Sequence, residues 1–167
     1  MNDILLKETA KHIDIVDTSL CSFVWRVCNY KQFEGMRGSD FGYLLNLREP
    51  LPEIKIREGE NGRMCYMLCE VSKHIENPIL AEKWIKQMLV ICGISQKTYN
   101  THHYIDINKS DVSKANKRFA MDLQNAINTF LMVCTSLFPS SARSHLPVWC
   151  SCPTASTPQK ARLMSVK

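Results

Sequence analysis

Acid is what the end of this chain lacks. All 16 Asp and Glu residues lie at or before Asp122, and the last 29 residues carry Arg143, Lys160, Arg162 and Lys167 with no carboxylate to balance them. The formal net charge of +5 is therefore mostly a property of that tail, because residues 1–138 hold 17 basic groups against the 16 acidic ones. A basic chain raises the prospect of nucleic acid or an anionic surface as a partner, and a nearly neutral folded part lowers it again.

Long apolar runs are also missing. Stretches such as Met88 to Cys92 and Phe130 to Cys134 stop at five residues, whereas a membrane-crossing helix needs roughly 20. The N-terminus, Met1-Asn2-Asp3-Ile4-Leu5-Leu6-Lys7, puts an acid where a secretory signal carries positive charge, and its apolar run is too short for one. The sequence predicts an intracellular chain, of cytoplasm or nucleus, with no membrane partner. No stretch repeats at a fixed period, which argues against a regular solenoid.

The eight cysteines do not make a disulfide framework. Cys21, Cys28, Cys69, Cys92 and Cys134 stand among Leu, Val, Ile, Met and aromatic neighbours in helical patterns, where a free thiol behaves as a small hydrophobe. Cys65 and Cys69 are one helical turn apart, but structural zinc sites are built from paired knuckles in loops, so two apolar-like side chains on a packed face is the preferred reading. His145, Cys150 and Cys152 are a weaker cluster still. His102 and His103 are adjacent, so their side chains diverge, which suits a solvated pair better than one metal. Asp40-Phe41-Gly42 stands without the other kinase motifs, and Gly35-Met36-Arg37-Gly38-Ser39 lacks the lysine of a phosphate-binding loop. No Ser/His/Asp or Cys/His constellation has a local signature. The expectation is a non-enzymatic protein without catalytic, metal or cofactor residues.

Helix periodicity is what the chain has in quantity. Residues 3–14 suit a short amphipathic helix through Ile4, Leu5 and Ile13, and Asp17 or Thr18 is placed to cap a second that runs to about Phe33 with Leu20, Val24, Val27 and Cys28 on one face. From Glu34 to Gly62, five of the six glycines and two prolines predict irregular structure anchored by Phe41, Leu44, Leu45, Ile54 and Ile56. Phe41 to Leu47 allows a turn or two of helix. Pro52 to Arg57 alternates as an extended piece would, with no obvious strand to pair with. Met64, Met67, Leu68, Val71 and Ile75 mark another helix; Asn77-Pro78 closes it and opens the next, which carries Leu80, Trp84, Ile85, Met88, Leu89 and Cys92 and stops at Gly93. Residues 94–108 read as a connector or a weak helix.

The longest and most periodic segment runs from Lys109 to Phe138. Val112, Asn116, Phe119, Leu123, Ala126, Phe130, Val133 and Leu137 step by four and three, and Ala120, Ile127, Leu131 and Cys134 widen the stripe. Asn108 or Ser110 is the expected cap, and Pro139 the stop. From Pro139 onward, four prolines, six serines and two threonines among 29 residues predict a disordered tail. The fold class is thus all-α: an irregular bundle of about five helices over 1–138, with a long, central C-terminal helix, followed by a disordered tail over 139–167.

For function the leading expectation is a protein–protein interaction module, a helical bundle or a fragment of a larger helical scaffold, that binds another protein, a helical one among the candidates, through an apolar groove or through the more polar start of the long helix. Val112, Asn116 and Phe119 would form the contact face there, with Lys114, Lys117 and Arg118 as its charged rim, while the later part around Phe130 and Val133 is expected to be core. The alternative is nucleic-acid or phosphate binding by the same basic start, where Lys109, Lys114, Lys117 and Arg118 gather near free helix N–H groups, with the basic tail over 139–167 assisting.

Overall fold

The computed structural model describes residues 14–137, with Leu137 defined in its backbone. The helix expected over 3–14 lies almost wholly outside the described residues, and the tail expected over 139–167 lies wholly outside them. Within them the chain is all-helical, with six helices: α1 (Thr18–Cys28), α2 (Gly38–Leu45), α3 (Asn61–Ser72), α4 (Pro78–Ile91), α5 (Gln96–His102) and α6 (Lys114–Leu137). No strand forms among the described residues; the extended pieces make two isolated bridges.

Local chemistry sets the helix ends. The Asp17 carboxylate accepts from the amides of Ser19 and Leu20 at 2.7 and 3.2 Å, so α1 starts where the sequence predicts. Asn77 does the same for Ile79 and Leu80 at 2.9 and 3.2 Å, with Pro78 in the first turn of α4, where its missing N–H costs nothing. At the other end of α4, Gly93 takes the left-handed conformation at φ 64°. The Ile94 amide then reaches back to the Leu89 carbonyl at 2.9 Å, and Ile94 itself is buried, which is the Schellman arrangement with its apolar contact.

Three segments depart from expectation. α1 ends at Cys28 rather than near Phe33: Lys31 and Gln32 both donate to the Cys28 carbonyl, and Tyr30 turns left-handed at φ 62°. Gly35 lets the exposed Tyr30 ring lie close beside that turn: a Cβ there would meet the ring at 2.1 Å and push it aside. Phe33 is nevertheless core, stacked on Phe41 at 5.3 Å between centroids. The extended piece ending at Arg57 does find a pairing partner, the segment just after α1. Glu34 donates to the Lys55 carbonyl at 2.8 Å and Arg57 to the Gln32 carbonyl at 3.0 Å. Finally, α6 starts at Lys114, because Asp106 gathers the amides of Asn108 and Lys109 into a turn and Ser113, not Asn108 or Ser110, supplies the cap, its Oγ accepting from Asn116 at 3.2 Å.

α3 is the most enclosed element. Met64, Cys65, Tyr66, Met67, Leu68 and Val71 are all buried, and α4, α5 and α6 pack around it. α6, roughly 36 Å long at 1.5 Å per residue, lies against both α1 and α3 and buries Phe119, Ala120, Leu123, Ile127 and Phe130. Full burial of a side chain of this size stabilises by about 1.5–3 kcal/mol, so the stripe read from sequence is the main reason α6 is held. Two polar clamps complete the core. The Trp84 indole N–H donates to the Leu45 carbonyl at 2.6 Å, satisfying the end of α2. The buried Asn46 side chain accepts from the Val16 amide at 2.9 Å and donates to the carbonyls of Val16 and Gly42 at 3.0 and 3.1 Å. That clamp fixes the point at which the chain enters the described fold.

Candidate functional site: the two ends of the long helix

At the start of α6 the structure separates the six residues that the sequence groups as a contact face. Phe119 is only 6% exposed and meets the Tyr66 ring edge-on, with centroids 6.2 Å apart, so it belongs to the core and offers nothing to a partner. Asn116 is not a spare seam residue. Its Oδ1 accepts from Arg63 Nε at 2.9 Å, while Arg63 pairs with Glu60 at 2.6 Å and Glu60 in turn accepts from the amide of the buried Gln32 at 3.4 Å. This network ties the start of α6 to the start of α3, which uses the polar residue as an internal register pin. Val112 and Lys117 are half-buried, and Lys114 and Arg118 are exposed.

The basic cluster is real as a surface. Among the described residues, none of Lys109, Lys114, Lys117 and Arg118 takes part in an ion pair. The helix end beside them is less free than its charge suggests, since Ser113 already takes the Asn116 amide on its hydroxyl and the Lys117 amide on its carbonyl at 3.0 Å. The Lys117 bond is the first of the helix itself, and the Asn116 amide, one of the end donors that an anion would use, is already taken.

At the far end the situation reverses. Phe130 is buried against Phe23 of α1, with ring centroids 6.4 Å apart, as expected of core. Val133, expected beside it, is 43% exposed, and its neighbours Leu131 and Met132 are 39% and 69% exposed. The physical reason is that α1 and α3 cover one flank of α6 only, and the stripe at this point is wider than that flank. Leu131 also lines a shallow cleft of about 250 Å³ between α3 and α6, with Glu70, His74, Gln124, Ile127 and Asn128. Burial holds the His74 imidazole below its ordinary pKa, so its neutral form is favoured there. A second cleft, about 220 Å³ beside α1 and α2, includes Cys21, Tyr43 and Arg48. Both fall below the 300–1,000 Å³ usual for small-molecule sites.

The exposed run was visible in the sequence as five consecutive apolar residues, Phe130 to Cys134. Only two or three of any five can face one neighbour, so the remainder had to meet something else. Reading the stripe by its period alone concealed that.

The thiols are poor candidates for chemistry. Burial pushes Cys28 up to about 12, and burial with the nearby Asp17 carboxylate does the same for Cys21; Cys92 is likewise raised to about 12 and Cys65 to about 11. Thiols so shifted are neutral and weakly nucleophilic at physiological pH. Among the described residues no three His, Cys, Asp or Glu side chains converge as a metal site requires, the six cysteines are unbonded, and no helix is long and apolar enough to cross a membrane. Neither a family model, nor a curated protein, nor a solved structure matches this chain.

Proposed function

We propose that this chain is a non-enzymatic, intracellular protein-interaction module whose docking surface is the C-terminal end of α6. One observation carries the reading: Leu131, Met132 and Val133 are consecutive, apolar and exposed, on a helix whose other large apolar residues are mostly enclosed. Burying such side chains under a partner helix is worth about 25 cal/mol per Å² of apolar area removed from water, without any charge being desolvated. The unbonded, buried thiols support a reducing compartment, cytoplasm or nucleus. The small clefts and the neutral thiols support the non-enzymatic half.

A second reading, binding of nucleic acid or a phosphorylated partner at the start of α6, is favoured by the exposed charges of Lys114 and Arg118, which make no ion pair among the described residues. Salt separates the two, because phosphate-driven binding falls steeply with added salt and apolar docking does not. The test is affinity capture at two salt concentrations, with and without nuclease, using the full chain, a Leu131→Asp/Val133→Asp variant and a Lys114→Glu/Arg118→Glu variant. Proteins retained at high salt and lost only with the first variant are expected. Capture abolished by salt, by nuclease and by the second variant would replace the docking reading with the anionic one.

A further inference from the structure

The outward face of α6 carries a second pattern, separate from the stripe that the helix buries. Arg118, Met121, Asn125, Asn128, Met132 and Thr135 step by three and four along one line of the helix, and all six are exposed. The two methionines are 51% and 69% exposed. From Leu123 to Leu137 the helix holds no charged residue, although 22% of the chain is charged. An outward helix face is ordinarily the charged one, whereas loss of charge together with methionine is the composition of a protein interface.

The middle of that line reads the same from either end: Met, Asn, Asn, Met, about a centre between Ala126 and Ile127. A two-fold axis through the centre, with two such helices antiparallel, sets Met121 against Met132 of a second copy, Asn125 against Asn128 and Arg118 against Thr135. Each pair then shares one layer of a knobs-into-holes seam, and every contact occurs twice, as an isologous interface requires. A carboxamide has both donors and an acceptor, so Asn125 of one chain and Asn128 of the other complement each other. Asparagine in a seam also fixes its register.

Charge decides the orientation. Lys114 continues the line one step before Arg118; both are exposed and neither makes an ion pair among the described residues. On their own helix they stand at the positive end of the macrodipole, where cations are disfavoured. In the antiparallel pair they lie beside the last turn of the second copy's α6, whose orphan carbonyls and negative dipole end favour them. A parallel pair would set Arg118 beside Arg118.

We infer that a second copy of this chain docks on this face, the two α6 helices running antiparallel about a two-fold axis between Ala126 and Ile127. The seam from Arg118 to Thr135 is about 26 Å long. Such a contact belongs to the small class of interfaces, so the association is weak and appears at high micromolar concentration. It shares Met132 with the docking surface described above, and it rests on the self-complementary line rather than on that reading.

The test is sedimentation equilibrium of the full chain from low to high micromolar concentration. The mass is expected to rise from 19.2 kDa toward twice that value. Asn125→Asp/Asn128→Asp, which brings four carboxylates to the axis, should weaken the association at least tenfold while circular dichroism stays helical. Arg118→Glu should weaken it several-fold, most at low salt. Register is read by benzoylphenylalanine in place of Met121, irradiated at a concentration where the dimer forms and expected to join the segment around Met132. Positions 121 and 132 of one helix are about 16 Å apart along its axis, so that adduct bridges two chains. A chain that stays monomeric throughout, a dimer that both variants leave unchanged, or an adduct from position 121 to position 121 would overturn the inference. The purified chain contains no other partner, so a monomeric result leaves docking to the capture experiment. A chain that dimerises as expected, with capture unaffected in Leu131→Asp/Val133→Asp, overturns docking alone.

Discussion

Phe119→Ala discriminates most sharply between a long helix used as core and one used as a docking face at its start. Phe119 is 6% exposed and packs edge-on against Tyr66, itself fully buried with its hydroxyl accepting from Gln124 Nε2 at 2.9 Å. Truncation removes a whole ring from a closed site, for which core Phe→Ala changes cost about 3–5 kcal/mol, the aromatic pair contributing roughly 0.5–1.5 of that. The α3–α6 contact is pinned by the Arg63–Asn116 hydrogen bond a turn away, which limits collapse into the void and favours the upper half of the range. At roughly 3–5 °C per kcal/mol for a fold of this size, the thermal midpoint should fall by about 10–20 °C. Thermal unfolding followed at 222 nm, with urea titration for the free energy, measures it. Lys117→Glu is the control. Among the described residues that half-exposed lysine makes no ion pair, so the change should stay within about 0.5 kcal/mol. A Phe119→Ala chain that melts with the wild type would mean that the ring is free, and the packing of α6 on α3 would have to be redrawn.

Other consequences are as specific. Asn46→Ala should cost about 2–4 kcal/mol by urea titration, because it strips the buried Val16 amide of its partner and opens the start of α1. Phe130→Ala should cost about 3–5 kcal/mol while Val133→Ala, at a site already 43% exposed, should cost under about 1. Gly93→Ala forces a Cβ into φ 64° and should lower stability by about 1 kcal/mol with no steric clash, as no neighbour lies within reach of the new methyl. Stability should also decline on the alkaline side. The unfolded chain releases its thiol protons from about the ordinary value of 9.0, whereas Cys21, Cys28 and Cys92 hold theirs to about 12, so their contribution is intact below pH 9 and lost between there and 12. A denaturation midpoint flat from pH 9 to 11 would contradict the burial of those groups.

Much of the bundle was legible because its signals are local. Asp17, Asn77-Pro78 and Gly93 act within four residues of themselves, and each stands at a helix end in the structure. The misplaced ends belong to segments whose decision is tertiary. By pattern alone α1 continues toward Phe33; it stops at Cys28 because Phe33 must reach Phe41 and the backbone at Gln32 and Glu34 must meet that of Lys55 and Arg57. The start of α6 was expected at Asn108 or Ser110; the Asp106 turn took Asn108 out of use, and the helix is capped later, by Ser113.

The site was the least legible part, for a reason that α6 makes explicit. Helical period reports which residues share a direction, not whether a neighbour occupies it. Around Asn116 and Phe119 the seam is interrupted by a polar residue, which by pattern resembles a partner face, yet Arg63 on α3 supplies an internal mate and Tyr66 fills the space beside it. Around Val133 the seam is unbroken, which by pattern resembles core, yet α1 and α3 leave that flank open. The two ends thus exchange roles once the neighbours are present. What would have carried through from sequence alone is angular width rather than period: Phe130 to Cys134 covers the full circumference of the helix, more than the two neighbours found there enclose, and the surplus apolar width falls on the flank that the described bundle leaves open.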